Sequence, residues 1–184
     1  PTQAAPPPKA PTVAAVGATT PVVATATPTA KIGRGGVART ARAWTYSSMD
    51  PHLAVGSGPA FAMLYDALLR YEMVDEKTGR FESKPGLAES WQIADPKTLI
   101  FKLRKGVGFH DGGELNAEVV RWNLDRMLTH PKSRVKEYVE AIRDAEVVDQ
   151  YTVKVNLKTP SASLLVNLSH GGTESAGIVS KAAV

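Results

Sequence analysis

Cysteine is absent from the 184 residues, which removes disulfides, thiolate nucleophiles and cysteine metal ligands together while leaving the redox compartment open. No apolar run reaches the ~20 residues that a membrane-spanning helix needs. Acidic residues are missing from residues 1–36, where Lys9, Lys31 and Arg34 are the only charges. Overall 22 Lys and Arg stand against 18 Asp and Glu, so with those three set aside the remainder is nearly neutral, its bases interspersed among acids. Phosphate binding depends on a concentrated basic surface, and no nucleic-acid partner is expected.

What the opening stretch does contain is proline, alanine and threonine. "PTQAAPPPKAPTVAAVGATTPVVATATPTA" holds seven Pro, nine Ala and seven Thr. Proline removes backbone donors and favours extended conformers, while Ala and Thr offer little to bury, so residues 1–36 read as a flexible or semi-extended tether. A tether of this kind suits a protein held away from a cell surface, and a signal peptide or lipid-anchored start ahead of Pro1 is compatible with it. The folded body is expected from about Val37, and a chain that is 43% hydrophobic can supply its core.

Along that body, "VARTARAWT" (37–45) reads as a first strand or an irregular segment, and "YSSMDPHLAVGSG" as a polar loop. A helix is expected from Pro59, with Phe61, Leu64, Tyr65, Leu68 and Leu69 on one side. "RYEMVDEKTGRF" predicts a hairpin turning near Lys77 to Gly79. "AESWQIAD" and "TLIFKLR" predict a second hairpin about Asp95-Pro96, with Trp91 and Ile93 on one face of its first strand and Leu99, Phe101 and Leu103 on one face of its second. The strongest helix signal is "LNAEVVRWNLDRMLTHP", where Asn116 can cap, Leu115 and Val120 form a hydrophobic staple, and Val120, Leu124, Met127 and Leu128 make the buried stripe. Pro131 ends it. A third hairpin is expected in "AIRDAEVVDQYTVKVNLK", where Val153, Val155 and Leu157 face inward and Lys154, Asn156 and Lys158 face water. "PSASLLVNL" reads as a short helix with Pro160 at its start. Hairpins interrupted by helices give an α/β or α+β body.

Three places invite a functional reading. In "FHDGG", Gly112 and Gly113 permit backbone angles forbidden to other residues and Asp111 can bond nearby amides, so a rigid turn is favoured over catalysis or metal binding by His110. The loop after the first strand carries Tyr46, Ser47, Ser48, Met49 and His52, with Ser57 at the helix start, and α/β folds expose such groups to a crevice. These six are the candidate ligand-binding residues. Asp50-Pro51 reads as turn chemistry. Trp91 and Trp122 fit core or half-core positions better than stacking platforms, and Trp44, preceding the crevice loop, is open.

"KPGLAESWQIADPKTLIFKLRKGVGFHDGGELNAEVVRWNLDRML" resembles the extracellular solute-binding proteins of bacterial ABC importers, in the class that takes up oligopeptides, dipeptides, nickel and some sugars. The resemblance rests on the ordered run of Leu87 to Trp91, Leu103 to Gly106, Phe109 to Gly112 and a capped helix at Asn116. "SSMDPHLA", "VVDQYTVKVNLKTPSASLL" and "IVSKAAV" are similar to further family segments. Gly113-Glu114 and Asn116, in place of a hydroxyl cap, depart from the usual pattern without touching a reactive group.

The resemblance implies an α/β, periplasmic-binding-protein-like (type II) fold, here an incomplete lobe with a hairpin-rich α/β subdomain. Residues 37–70 would be the first segment of lobe I and 71–184 its subdomain, with the return to lobe I and all of lobe II lying further along. It implies a non-enzymatic, cofactor-free, metal-free monomer at the periplasmic or extracellular face of the membrane. That protein would capture a peptide or other small solute and deliver it to an ABC permease. A structural or assembly fragment derived from such a protein is the alternative, and a hydrolase using His52 or His110 comes third, since no nucleophile, base and orienter stand out in sequence.

Overall fold

The computed structural model of the chain describes residues 48–54, 58–170 and 176–184, with 58–60 described by backbone alone. The tether, the expected strand at 37–45 and Trp44 lie outside these residues.

All three hairpins form. β1 (Leu69–Asp75) pairs antiparallel with β2 (Arg80–Pro85). β3 (Ala88–Asp95) pairs with β4 (Thr98–Leu103), and β5 (Ile142–Asp149) with β6 (Thr152–Leu157). The last two hairpins join through β4 and β6 into a four-stranded antiparallel sheet of order β3-β4-β6-β5. Alternation explains its inner face: Phe101, Leu103, Val153 and Val155 are at most 1% exposed, because residues two apart share one side of a strand.

The helix α2 (Ala117–Thr129) covers that face, packing on β5 and β6 through Val120, Leu124 and Met127. Its start is as the sequence dictates: Asn116 accepts from the Val119 amide at 3.0 Å, and Leu115 and Val120 are both fully buried. Ile93 departs from expectation. It stands opposite Leu99 in the register yet is 61% exposed, since β3 is an edge strand and α2 packs on β5 and β6 towards the opposite edge of the sheet. Asn156, expected to face water, is buried and donates through Nδ2 to Asp144 Oδ1 and Glu146 Oε1, both at 2.5 Å.

The first helix is shorter than its apolar spacing suggests. α1 (Gly58–Leu64) closes with the Tyr65 amide on the Phe61 carbonyl. Beyond it the backbone turns to distant partners: the Asp66 carbonyl accepts from Ile178, Ala67 from Leu87 and Leu68 from Ala88. Leu68 and Leu69 are buried as the lead into β1, whereas Leu64 is left 45% exposed. Gly86 makes this crossing possible, because a Cβ there would stand 2.6 Å from the Ala67 carbonyl oxygen. Two short helices, α3 (Lys136–Val139) and α4 (Leu164–Asn167), follow, the latter starting beyond Pro160. β7 (Ser169–His170) then lies parallel to β1, giving a second sheet of order β2-β1-β7.

Between β4 and α2, the Phe109 amide donates to the Gly113 carbonyl at 2.7 Å and the Gly112 amide to the Phe109 carbonyl at 3.0 Å. Asp111 Oδ1 accepts from the Gly113 amide at 3.0 Å. Gly112 has φ +87° and needs to be glycine. Gly113, expected to share that need, is not among the positive-φ glycines. The rigid turn is real and rests on one glycine.

The loop 48–54 is tied to α2 by charge. Asp50 opens a tight turn, its carbonyl accepting from Leu53 and Ala54 and its Oδ1 from the His52 amide. The same carboxylate takes two bonds from Arg126, Nη1 to Oδ1 at 3.1 Å and Nη2 to Oδ2, with both side chains nearly buried. Arg126 Nη1 lies 2.7 Å from His52 Nδ1, and His52 Nε2 lies 3.0 Å from the Gly177 carbonyl. A guanidinium only donates and a carbonyl only accepts, so the imidazole is neutral and carries its proton on Nε2. Burial pushes its pKa down to about 4, and the Arg126 charge adds to the shift.

This shift sets a pH dependence. The unfolded chain protonates His52 near 6.5 and the folded chain only near 4. The stability associated with the neutral imidazole is therefore complete above about pH 6.5 and falls as the pH drops towards 4, by about 3 kcal/mol in total. Carboxylates with lowered values, Asp50 and Asp95 among them, begin to weaken the fold only below their ordinary 3.8. Urea denaturation at a series of pH values should show this loss, and His52→Gln should flatten it; an equal slope in the variant would refute the assignment. Gly86→Ala should destabilise the fold by about 1–3 kcal/mol through the forced backbone shift, read in the same urea titrations.

Candidate functional site

A cavity of about 650 Å³ opens where the loop 48–54, the turn before α2 and the segment 176–184 meet. Its floor is apolar. Leu87, Leu115 and Ile178 are buried in it, and Val107 and Phe109 are half-buried against the same core. Its rim is polar, carrying Ser48, Asp66, His110, Asp111 and Ser180, with Met49 as an apolar member 51% exposed. An apolar bed with a few convergent polar groups is the usual construction of a small-molecule site.

Each wall is held by bonds from elsewhere in the chain. Ser48 Oγ accepts from the Asp50 amide at 3.0 Å, and the Met49 carbonyl accepts from the Tyr65 hydroxyl at 2.8 Å. Burial, and then the Asp50 charge, raise the Tyr65 pKa, so the phenol stays a donor at neutral pH. Its ring meets Phe61 edge to face at 5.6 Å. A second wall, Ile178 to Ser180, is held by Asn123, which is fully buried in α2. Its Oδ1 accepts from the Val179 amide and its Nδ2 donates to the Val179 carbonyl, both at 2.9 Å, so one amide side chain stands in for a neighbouring strand. Gly177 allows this segment to pass close by, since a Cβ there would fall 2.7 Å from Tyr65 Cβ.

The third wall is the turn. The Ser180 hydroxyl donates to Asp111 Oδ2, and this bond, together with the Gly113 amide on Oδ1, lowers the Asp111 pKa. At neutral pH the rim therefore carries an ionised Asp111, while the Asp50 carboxylate beneath it is engaged by Arg126. For Asp50, burial opposes ionisation, and the Arg126 bonds and the His52 amide outweigh it to leave the pKa lowered.

Of the six candidate residues, Ser48 and Met49 line the cavity. His52 is turned inward, 0% exposed, with both ring nitrogens engaged; it presents no surface to a ligand, because its ring fills the joint between Arg126 and Gly177. Tyr46, Ser47 and Ser57 lie outside the described residues. The spacing of single residues did not reveal Tyr65, Asp66 or Ser180, which join the site only through the crossing of distant segments. His110 both belongs to the rigid turn and lines the cavity, and the position of a turn beside a buried strand end is the signal that could have marked it. Trp91 packs against the core, and Trp122, half-buried, has the Arg126 guanidinium 5.8 Å from its ring centroid. Among the described residues no group of three His, Asp or Glu could hold a metal ion, and no helix is long and apolar enough to cross a membrane.

Curated relatives share this region. Glutathione-binding protein GsiB of Pectobacterium atrosepticum is 45% identical over 87 residues, covering 46% of this chain and 17% of that protein. GsiB of Escherichia coli (strain K12) is 39% identical over 90 residues, again with 17% of its length covered. The chain thus spans about a sixth of the length of these relatives. Among solved structures, the nickel ABC transporter protein of Bacillus halodurans superposes with a TM-score of 0.61 at 30% identity, over 76% of this chain and 27% of that one. DppA of Helicobacter pylori, a periplasmic binding protein solved with the peptide STSA, gives 0.58 at 29% identity over 74% and 29%. The mixed α/β body is accordingly that of part of a type II periplasmic binding protein. The model for bacterial extracellular solute-binding proteins, family 5, matches residues 82–180, from β2 through α2 to the Ser180 wall of the cavity, and with more than half of the sequence inside that match the chain belongs to this family.

Proposed function

We propose that the protein is the substrate-binding component of an ABC importer, capturing a short peptide or a related small solute outside the membrane and handing it to a permease. The observation that carries this reading is the cavity itself: an apolar floor and a rim of hydroxyl, imidazole and carboxylate groups, held rigid by bonds from distant segments, in a chain of the solute-binding family. Its volume falls in the range of small-ligand sites, roughly 300–1,000 Å³. The relatives named for binding glutathione and solved with a tetrapeptide support a peptide-like cargo. Ser48 and Met49 are the ligand-facing residues of the loop, with Tyr46, Ser47 and Ser57 proposed beside them.

In this reading residues 37–70 open lobe I, residues 71–184 form its subdomain, and capture is by closure of two lobes about the solute. The protein acts as a monomer and performs no chemistry on its cargo. It works at the periplasmic or outer face of the membrane, and the stretch 1–36 serves as a tether to a lipid anchor.

Glutathione, di- to tetrapeptides and nickel-histidine, each added to the protein, should separate into ligands and non-ligands by thermal denaturation. A true ligand at about 100 times its Kd should raise Tm by roughly 5–10 °C and be recovered unchanged by mass spectrometry; absence of any shift, or recovery of a cleaved product, would overturn the proposal. Met49→Asp should weaken binding of that ligand about tenfold, by placing a charge on the apolar part of the rim, at an unchanged Tm of the free protein. Titration calorimetry of the variant reads this directly.

A further inference from the structure

Two side chains outside the cavity lining are bonded to the segments that form two of its walls. Asn123 and Arg126 are three residues apart on α2 and therefore neighbours on one helix face. Asn123 grips the Val179 backbone from both its amide and its carbonyl. Arg126 grips the Asp50 carboxylate with two bonds and, through His52, reaches the Gly177 carbonyl. The partners lie 56 and 76 residues away in sequence. Asp50 and Val179 both line the cavity, whereas Asn123, Arg126 and His52 do not. The helix thus holds the outgoing loop with one residue and the returning segment with the next turn. All the groups involved are buried or nearly so.

Packing alone would not fix these two walls. Loop 48–54 and segment 176–180 contribute no hydrogen-bonded ladder to either sheet; each has one backbone bond to a distant segment, Arg134 to His52 and Ile178 to Asp66, and one bond can pivot while apolar contact tolerates sliding. A bidentate guanidinium and a doubly bonded amide do not, since a displacement of an ångström breaks both bonds of each pair.

We propose that Asn123 and Arg126 are positioning residues for ligand capture: they set the separation of the two cavity walls, and ligand affinity depends on them without contact. This rests on the solute-binding reading of the cavity. Its consequence is a split between affinity and stability that a merely structural role would not give. A destabilised variant whose walls are intact binds as before; a variant with loosened walls binds poorly even where it remains folded.

The test compares Arg126→Lys and Asn123→Ser with Val153→Ala, which opens a hole in the sheet core away from the walls. Hydrogen exchange of the free proteins should rise roughly tenfold at residues 49–54 and 178–180 in the first two, with β4 and β6 amides unchanged. Reduced glutathione and the peptide Ser-Thr-Ser-Ala serve as probes by titration calorimetry. For whichever probe the wild type binds, Kd should weaken about tenfold in the two α2 variants and stay within twofold in Val153→Ala. Equal losses in all three variants, or none in the α2 pair, would overturn the inference. If the wild type binds neither probe, the solute reading is in difficulty on its own account and exchange decides the inference: protection at both walls unchanged in Arg126→Lys and Asn123→Ser refutes it, and selective loss there upholds it. Should either variant fail to fold, Asp50→Asn, which keeps an acceptor for Arg126 but weakens the pair, replaces Arg126→Lys, and Asn123→Asp, which keeps the acceptor for the Val179 amide, replaces Asn123→Ser.

Discussion

The contact between Asp50 and Arg126 is the constraint on which the site depends. Withdrawing a carboxylate and a guanidinium from water costs several kcal/mol per ion after relaxation, and their attraction offsets this only when the remaining donors and acceptors also find partners. Here they do. Asp50 Oδ1 takes an Arg126 bond and the His52 amide, Oδ2 takes the second Arg126 bond, and the spare lone pair of His52 faces Arg126 Nη1. His52 is best understood as the piece that completes this balance. A charged imidazole would put a second cation beside Arg126 in a dry joint, which is why burial and the guanidinium both hold it neutral.

Such a pair contributes position more than net stability. An apolar trio of the same volume would pack as well, but would lack the directional bonds that tie the loop to α2. The four-stranded sheet illustrates the contrast. Its inner face of Phe101, Leu103, Val153 and Val155 relies on burial, and the backbone ladder fixes its register. Loop 48–54 and segment 176–180 join no ladder, so single backbone bonds, from Ile178 to Asp66 and from Arg134 to His52, and side chains fix their register instead. Asn123 takes the place of a strand for Val179, Asp50 that of a turn partner for α2, and Ser180 is clipped to Asp111 across the mouth. These bonds order the polar groups of the rim in advance, and binding a solute at groups already ordered costs less entropy than ordering them on contact.

How much of this was legible in the sequence follows from the range of each interaction. The hairpins, the Asn116 cap with its Leu115 and Val120 staple, and the α2 stripe are each set within a single hairpin or helix, and they stand where alternation and capping place them. Long-range competition explains the errors. Leu68 and Leu69 continue the spacing of α1, yet their backbone is claimed by β3, by Leu168 and by β7. Ile93 has the pattern of a core residue but stands on an edge strand, while α2 packs on β5 and β6. Asn156 alternates with inward valines and is nonetheless buried by two carboxylates on its own face. The division within the candidate loop is not legible: Ser48 and Met49 line the cavity and His52 meets Arg126, and only a partner 74 residues away separates the two outcomes.

The turn at Phe109 to Gly113 shows why a structural residue and a site residue need not be alternatives. Its conformation is fixed locally by Gly112 and by the Asp111 bond to the Gly113 amide. The same carboxylate then commits its second oxygen to Ser180, and the adjoining His110 is carried to the cavity rim on a backbone that does not need to reorganise. Preorganised groups of this kind lose little entropy when a ligand arrives, whereas a mobile loop with the same side chains would lose a great deal. The motif that resembles a catalytic sequence is thus a turn fixed by its own bonds, and the same bonds set where His110 and Asp111 stand on the cavity rim.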